Sequence, residues 1–337
     1  MQVQNAMSAV NRAVDGKLRW NRLAFAVSLL IIAAASVTLF RLLREVEPDK
    51  VMAALAAMPP RTIMIAAVLV AAGYVSLTFY DFFALRTIGR RHVPYRIAAL
   101  ASFTSYSIGH NLGATVLTGG VVRLRIYGPW GLGVIDIAKI AFVTGLTFWL
   151  GNAFILGLSM AYDPSAASAI DQLPPWLNRT VALTGLATII GYLLWLLPAP
   201  RAVGSGEWRI TLPDARLTFI QIGIGVLDLT IGALAMYVLL PAEPPIDFLA
   251  LLVTYVIATL LGFLSHAPGS LGVFDAALLL GLAHFDRNEV IASLLLFRLL
   301  YFILPFFAAL CALSARELWV SLSKSGNSDP PLLPPPA

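Results

Sequence analysis

Charge is what this sequence has least of. Of its 337 residues only 12% are Asp, Glu, Lys or Arg, while 59% are hydrophobic and the mean hydropathy is +0.82. Ordinary soluble domains carry about 25% charged residues, so a water-soluble enzyme is excluded as the working class. Cysteine is reduced to Cys311, inside an apolar run, which excludes a disulfide framework and a cysteine-rich metal site. No Walker phosphate loop occurs, so the chain itself draws nothing from nucleotide hydrolysis. The formal charge of +5 does not mark a nucleic-acid partner, because the basic residues gather between apolar segments, where orientation in a membrane accounts for them.

What remains is a series of apolar runs of membrane-spanning length, about 20 residues. They are Leu23 to Phe40, Thr62 to Leu85, Val134 to Ala161, Thr180 to Leu197, Leu217 to Leu240, Ile246 to Leu264 and Val290 to Leu313. The first follows a basic arm and lacks a small-residue cleavage site, so it reads as an anchor. Two further apolar stretches, Ile97 to Gly120 and Ser265 to Ala283, are rich in Gly, Ser, Thr and His. Broken backbone survives at membrane depth only where protein or a wet cavity satisfies its freed polar groups, so both read as re-entrant or discontinuous elements inside a bundle. The expected fold is all-α, polytopic, with about eight transmembrane helices and two re-entrant elements in two loosely repeated halves. Residues 1–22 form a basic cytoplasmic arm, 23–315 the membrane domain, and 316–337 a proline-rich tail that cannot pack. Basic loops at 86–96 and 201–216 alternate with poorly basic ones, which puts the N-terminus inside; the loop 41–61, with four basic residues on the outside, is the exception.

Ionisable groups inside such spans cost roughly 2.5–3.5 kcal/mol on insertion scales and are functional candidates by default. Asp228 lies midway through its run, between glycines that admit a neighbouring helix; it is a site carboxylate or a hydroxyl-bonded structural one. Arg298 is an anion-binding arginine or the counter-charge of Asp228 or Asp275. Asp81, near the end of its run, can reach the interface. Asp136 and Lys139 share one helical face and can neutralise each other. In Thr118-Gly119-Gly120-Val121-Val122-Arg123-Leu124-Arg125 the glycine pair can bring N–H groups to an anion, and Arg123 and Arg125 supply planar forks suited to phosphate; positive-inside placement is the competing explanation. His110 and His266 occupy similar contexts, IGHNLG and LSHAPG, one in each broken stretch. Hydrogen bonding of irregular backbone suits them better than a metal, since no third ligand stands at a useful spacing. Their pairing hints at an inverted repeat of the kind that brings two discontinuous helices to a substrate site.

The run IGHNLGATVLTGGVVRLRIYGPWGL, followed by IAKIAFVTGLTFWLG, resembles the membrane region of the bacterial aminoacyl-phosphatidylglycerol synthase/flippase family, the multiple peptide resistance factors, and of their stand-alone relatives. SHAPGSLGVFDAALLLGL resembles the second family signature. By position Gly119, Gly120 and Arg123 match the first motif, and Pro268, Gly269, Gly272, Phe274 and Asp275 the second; Ser270 replaces a usual glycine. The resemblance implies a lipid-translocating unit of the bacterial inner membrane, acting on phospholipid and, in two-part members, on lysyl- or alanyl-phosphatidylglycerol made by a C-terminal synthase domain. That domain has no counterpart before the proline-rich end, so the expectation is a lipid transporter without catalytic residues or cofactor. A second copy or a separate lipid synthase are the protein partners left open. An anchor for a lipid-modifying enzyme and an intramembrane headgroup transferase, built on His110, His266 and the aspartates, are the competing classes.

Overall fold

The computed structural model describes residues 47–113, 115–198, 201–206 and 209–325. Beyond a two-stranded ribbon, Ala202–Val203 with Ile210–Thr211, its regular structure is helical. The helices are α1 (Pro48–Ala57), α2 (Pro60–Thr87), α3 (Tyr95–Leu112), α4 (Thr115–Tyr127), α5 (Val134–Tyr162), α6 (Ser165–Asp171), α7 (Pro175–Leu196), α8 (Ala215–Leu239), α9 (Phe248–Ser265), α10 (Val273–Gly281), α11 (Arg287–Arg298) and α12 (Leu304–Ser325). Proline opens α1, α2 and α7 at a position whose N–H has no helical acceptor anyway. Asp214 caps α8 by accepting from the Leu217 amide at 2.7 Å.

Six helical segments among the described residues are long and apolar enough to cross a membrane: α2, α5, α7, α8, α9 and the continuous run Arg287–Leu318. Each coincides with one of the apolar runs of the sequence. The seventh run, Leu23 to Phe40, and the arm 1–22 lie outside the described residues, so the described part holds six spans where the sequence suggests about eight for the whole chain. The chain is a polytopic, all-α membrane protein. At the C-terminal side α12 continues to Ser325, past the point at 316 where the tail is expected to begin.

Each broken stretch is a helical hairpin. The α3–α4 hairpin turns at Gly113, whose φ of +74° stops α3. Its two ends lie together: His92 Nε2 is 3.0 Å from the Trp130 carbonyl, and Arg90 forks onto Asp136 at the start of α5. The sequence pairs Asp136 with Lys139 through local spacing; the tertiary contact with Arg90 takes the carboxylate instead, because loop 88–94 folds over the α5 N-terminus. The α9–α10 hairpin turns through His266, Gly269, Ser270 and Gly272, all at positive φ. It enters and leaves where α8 ends and α11 begins, an end marked by the Ser293 hydroxyl donating to the Leu239 carbonyl at 2.6 Å.

The two hairpins enter from opposite ends. Helices α2 and α8 pack antiparallel, with Gly73 beside Ile231 and Tyr80 beside Asp228, so the α2 C-terminus and the α8 N-terminus mark one end, rich in arginine. The α3–α4 hairpin starts there, the α9–α10 hairpin at the other. Their first limbs are both 18 residues, about 27 Å of helix. The tips touch: a β-carbon on Gly113 would lie 2.9 Å from the His266 carbonyl oxygen and 3.2 Å from the Pro268 nitrogen.

Two local devices hold this arrangement. Helices α5 and α8 cross glycine on glycine, with a β-carbon on Gly151 only 2.6 Å from the Gly225 α-carbon, so neither position accepts a side chain. Between α11 and α12 the chain makes a π-turn, Leu299–Ile303. Pro305 has no N–H to give the Tyr301 carbonyl, and the Tyr74 hydroxyl donates to it at 2.9 Å; Asn111 Nδ2 donates to the adjacent Phe302 carbonyl at 3.0 Å.

Candidate functional site

Where the hairpin tips meet α2, α8 and α11, the packing leaves a cavity of about 250 Å³. Aromatic rings form much of its wall. Phe274, Phe297 and Tyr301 lie in a stack, with centroids 5.9 and 5.1 Å apart, and Tyr80 meets Tyr106 edge-on at 5.9 Å. Tyr255 closes the wall from α9, edge-on to Phe274 at 5.8 Å.

Asp228, from the middle of α8, faces this space. Its carboxylate accepts from the Ser76 hydroxyl at 3.3 Å and the Tyr80 hydroxyl at 3.4 Å, both on α2, and has no ion pair among the described residues. His110 and His266 also line the cavity, one from each hairpin. His110 packs against Tyr106 at 5.6 Å, and His266 Nδ1 lies 2.9 Å from the Leu264 carbonyl, which ties it to the broken backbone as the sequence suggests.

The other candidate residues surround the cavity without lining it. Arg123 and Asp81 form a buried pair, 3% and 0% exposed. Arg123 Nη2 donates to Asp81 at 2.7 Å and Nε at 2.9 Å, while the Tyr127 hydroxyl adds a third donor at 2.9 Å. Asp81 is therefore turned into the protein and does not reach outward, the option its place near the end of the run leaves open. It sits on the face of α2 that the α3–α4 hairpin covers, and a bare carboxylate there would be prohibitive without its arginine. Arg123 also spends its fork on Asp81 and is not free for phosphate in this arrangement; it lies behind Tyr106, its Cζ 5.0 Å from that ring.

Gly119 and Gly120 sit within helix α4, so their N–H groups go to helical carbonyls and form no anion cradle. Gly119 serves packing: a β-carbon there would stand 3.2 Å from the Ser105 carbonyl on α3. Arg125 is exposed and pairs with Glu317 at 2.6 Å.

The second hairpin carries the mirror of the first pair. Asp275 on α10 takes both Nε and Nη2 of Arg298, at 2.7 and 2.6 Å, and accepts from the Gly272 amide at 3.0 Å, so one carboxylate caps α10 and binds the arginine. Arg298 Nη1 donates to the Gly269 carbonyl at 3.0 Å, and its Cζ lies 5.4 Å from the Phe302 ring. Of the two counter-charges open to Arg298, the structure selects Asp275. Gly269 and Gly272, at φ +60° and +78°, supply the turn that brings this pair together. The sequence reading misses the tyrosines. Only their place in apolar stretches hints at them, since they come from three helices and the π-turn with no shared spacing.

Chemically, each hairpin is pinned by a neutralised arginine–aspartate pair behind an aromatic screen, and one carboxylate stands before the screen. Rings and a carboxylate together suit a cation, by ring-face and charge attraction. Comparison with known proteins agrees with a lipid setting. The family model described as the lysylphosphatidylglycerol synthase TM region matches residues 23–309, both hairpins included. The uncharacterized protein slr0712 of Synechocystis is 30% identical over 246 residues, 73% of this chain and 76% of its own. The inner membrane protein YbhN of Escherichia coli is 26% identical over 251 residues, 72% of this chain and 76% of its own. The phosphatidylglycerol lysyltransferase of Bacillus subtilis is 25% identical over 286 residues, 75% of this chain but 32% of the longer enzyme. With the match running through most of the described helices, this chain belongs to the lysylphosphatidylglycerol synthase transmembrane-region family.

Proposed function

We propose that the protein is a flippase-like lipid translocase of the bacterial inner membrane, passing phospholipid with a cationic headgroup, such as an aminoacyl-phosphatidylglycerol, between leaflets. The observation that carries this reading is Asp228: a carboxylate with hydroxyl partners only, in a tyrosine-walled cavity where hairpins from opposite ends abut. The headgroup amine would sit against Asp228 and the rings, and the phosphate would face the Arg123 and Arg298 pairs only if those opened. The name of the Bacillus relative supports the lipid class, and that of YbhN supports the inner membrane. Charge bias supports a cytoplasmic arginine-rich end, and with the span expected from the sequence at Leu23 to Phe40 this reading has the N-terminus on the same side.

The test is a leaflet-accessibility assay on proteoliposomes, with fluorescent lysyl-phosphatidylglycerol, phosphatidylglycerol and phosphatidylcholine, using wild type and Asp228→Asn. Wild type should move the lysyl lipid, and the variant should move it at least about tenfold more slowly, the loss of one charge-assisted contact. Wild type at the empty-vesicle rate for every lipid would sink the translocase reading. Conversion of the labelled lipid to a new species would make the protein a headgroup transferase.

A further inference from the structure

A second pocket lies away from the tyrosine cavity, at the arginine-rich end, between the α2 C-terminus and the α8 N-terminus. Its volume is about 600 Å³. Arginine dominates its mouth. Arg90 is paired with Asp136, and Asp214, which caps α8, is the one carboxylate among the described residues of the lining, set against Arg86, Arg91 and Arg216. Arg86 is held over the Phe82 ring, its Cζ 4.0 Å from the centroid. Arg91 and Arg216, both exposed, have no ion pair among the described residues. The mouth therefore keeps an excess of positive charge.

The wall behind the mouth is apolar. Phe83, Leu217 and the exposed Ile220 continue from the arginines down the flanks of two spanning helices. Charge bias alone would scatter arginines over this end; it does not require a cleft whose one side is guanidinium and whose other side is hydrocarbon. That sequence of surfaces matches an anionic amphiphile lying at a bilayer boundary: a phosphodiester on planar N–H forks and an acyl chain against the rings and Ile220. A nucleic acid or acidic peptide would gain nothing from the apolar wall. The tyrosine cavity, with its carboxylate, has the opposite preference. The two sites therefore take different ligands, and this inference stands whether or not the cavity moves lipid.

We propose that this cleft is a binding site for an anionic phospholipid of the surrounding membrane, with Arg91 and Arg216 holding its phosphate and Arg86 beside them.

The test uses the full chain in detergent micelles with native mass spectrometry, titrated with phosphatidylglycerol, with phosphatidylcholine, and with free glycerol 3-phosphate as competitor. Wild type should retain one phosphatidylglycerol at least about tenfold more tightly than phosphatidylcholine. Arg91→Gln with Arg216→Gln should remove that preference, whereas Arg179→Gln at the opposite end should keep it. Glycerol 3-phosphate at millimolar concentration should fail to displace the lipid. Equal retention by wild type and the double variant overturns the proposal, as does equal retention of the two lipids by wild type. Displacement by glycerol 3-phosphate would assign the cleft to a soluble phosphate. Ile220→Ser provides the complementary measurement, leaving every charge in place; it should weaken phosphatidylglycerol severalfold, and an unchanged affinity would remove the acyl-chain half of the proposal.

Discussion

Asp81 and Arg123 show how much of a buried charge's meaning lies in its partner. With the pair 0% and 3% exposed, removing one member strands the other. Asp81→Asn or Arg123→Gln should each cost about 3–5 kcal/mol, seen as a large fall in melting temperature in detergent, while the double replacement should cost less than the sum of the two. An additive double variant would mean the pair is not coupled. Ser270 illustrates the reverse situation, a residue held against its preference. Its φ of +51° is a left-handed conformation that costs an ordinary side chain about 1–2 kcal/mol. The hairpin accepts it because Gly262 opposite leaves room: a β-carbon there would come within 2.7 Å of the Ser270 β-carbon. Ser270→Gly should therefore raise thermal stability, by up to about 1 kcal/mol after the added freedom of the unfolded chain is counted. Sequence alone points to Asp228, Asp275, Arg123 and Arg298 as costly residues, because any charge in an apolar run is conspicuous. It does not assign partners: 42 residues separate Arg123 from Asp81, and no helical spacing connects them.

The elements are more legible than the contacts. Every apolar run that falls among the described residues is a helix, because length and hydropathy already meet the demands of a bilayer. The two broken stretches are equally visible, through Gly113, Pro268, Gly269 and Gly272, which cannot continue a helix where they stand. The meeting of their tips is not visible, since it depends on how two hairpins from opposite ends pack. Gly113→Ala puts a β-carbon against the His266 carbonyl at a positive φ, and should lower both stability and lipid movement in the leaflet assay. The π-turn offers a subtler test. Tyr74→Phe removes the donor to the carbonyl that Pro305 leaves unpaired, and should cost about 1–3 kcal/mol in thermal or denaturant unfolding. No change would mean that water or another donor already serves that oxygen.

At the scale of the molecule, the arginine-rich end and its opposite define an orientation that can be read chemically. Cys311 is the one cysteine in the chain, so a Cys311→Ser background is free of thiols. In that background His92→Cys, at the arginine-rich end, should react with a membrane-impermeant maleimide only after the cells are opened. Glu243→Cys, in the loop between α8 and α9, should react in intact spheroplasts. The opposite labelling pattern would invert the protein in the membrane and move the arginine cleft to the outer surface.

Gly113 and the His266 carbonyl belong to two hairpins that start at opposite ends of the bundle and meet tip to tip. Two abutting turns work as a stopper with no helix running through it, and under the proposed translocation that stopper is what would hold proton and sodium gradients while a polar lipid head crosses. On that proposal a headgroup would be admitted from one end only while the tip from the other end still blocks the route. The seal and the proposed passage would then share the same few atoms.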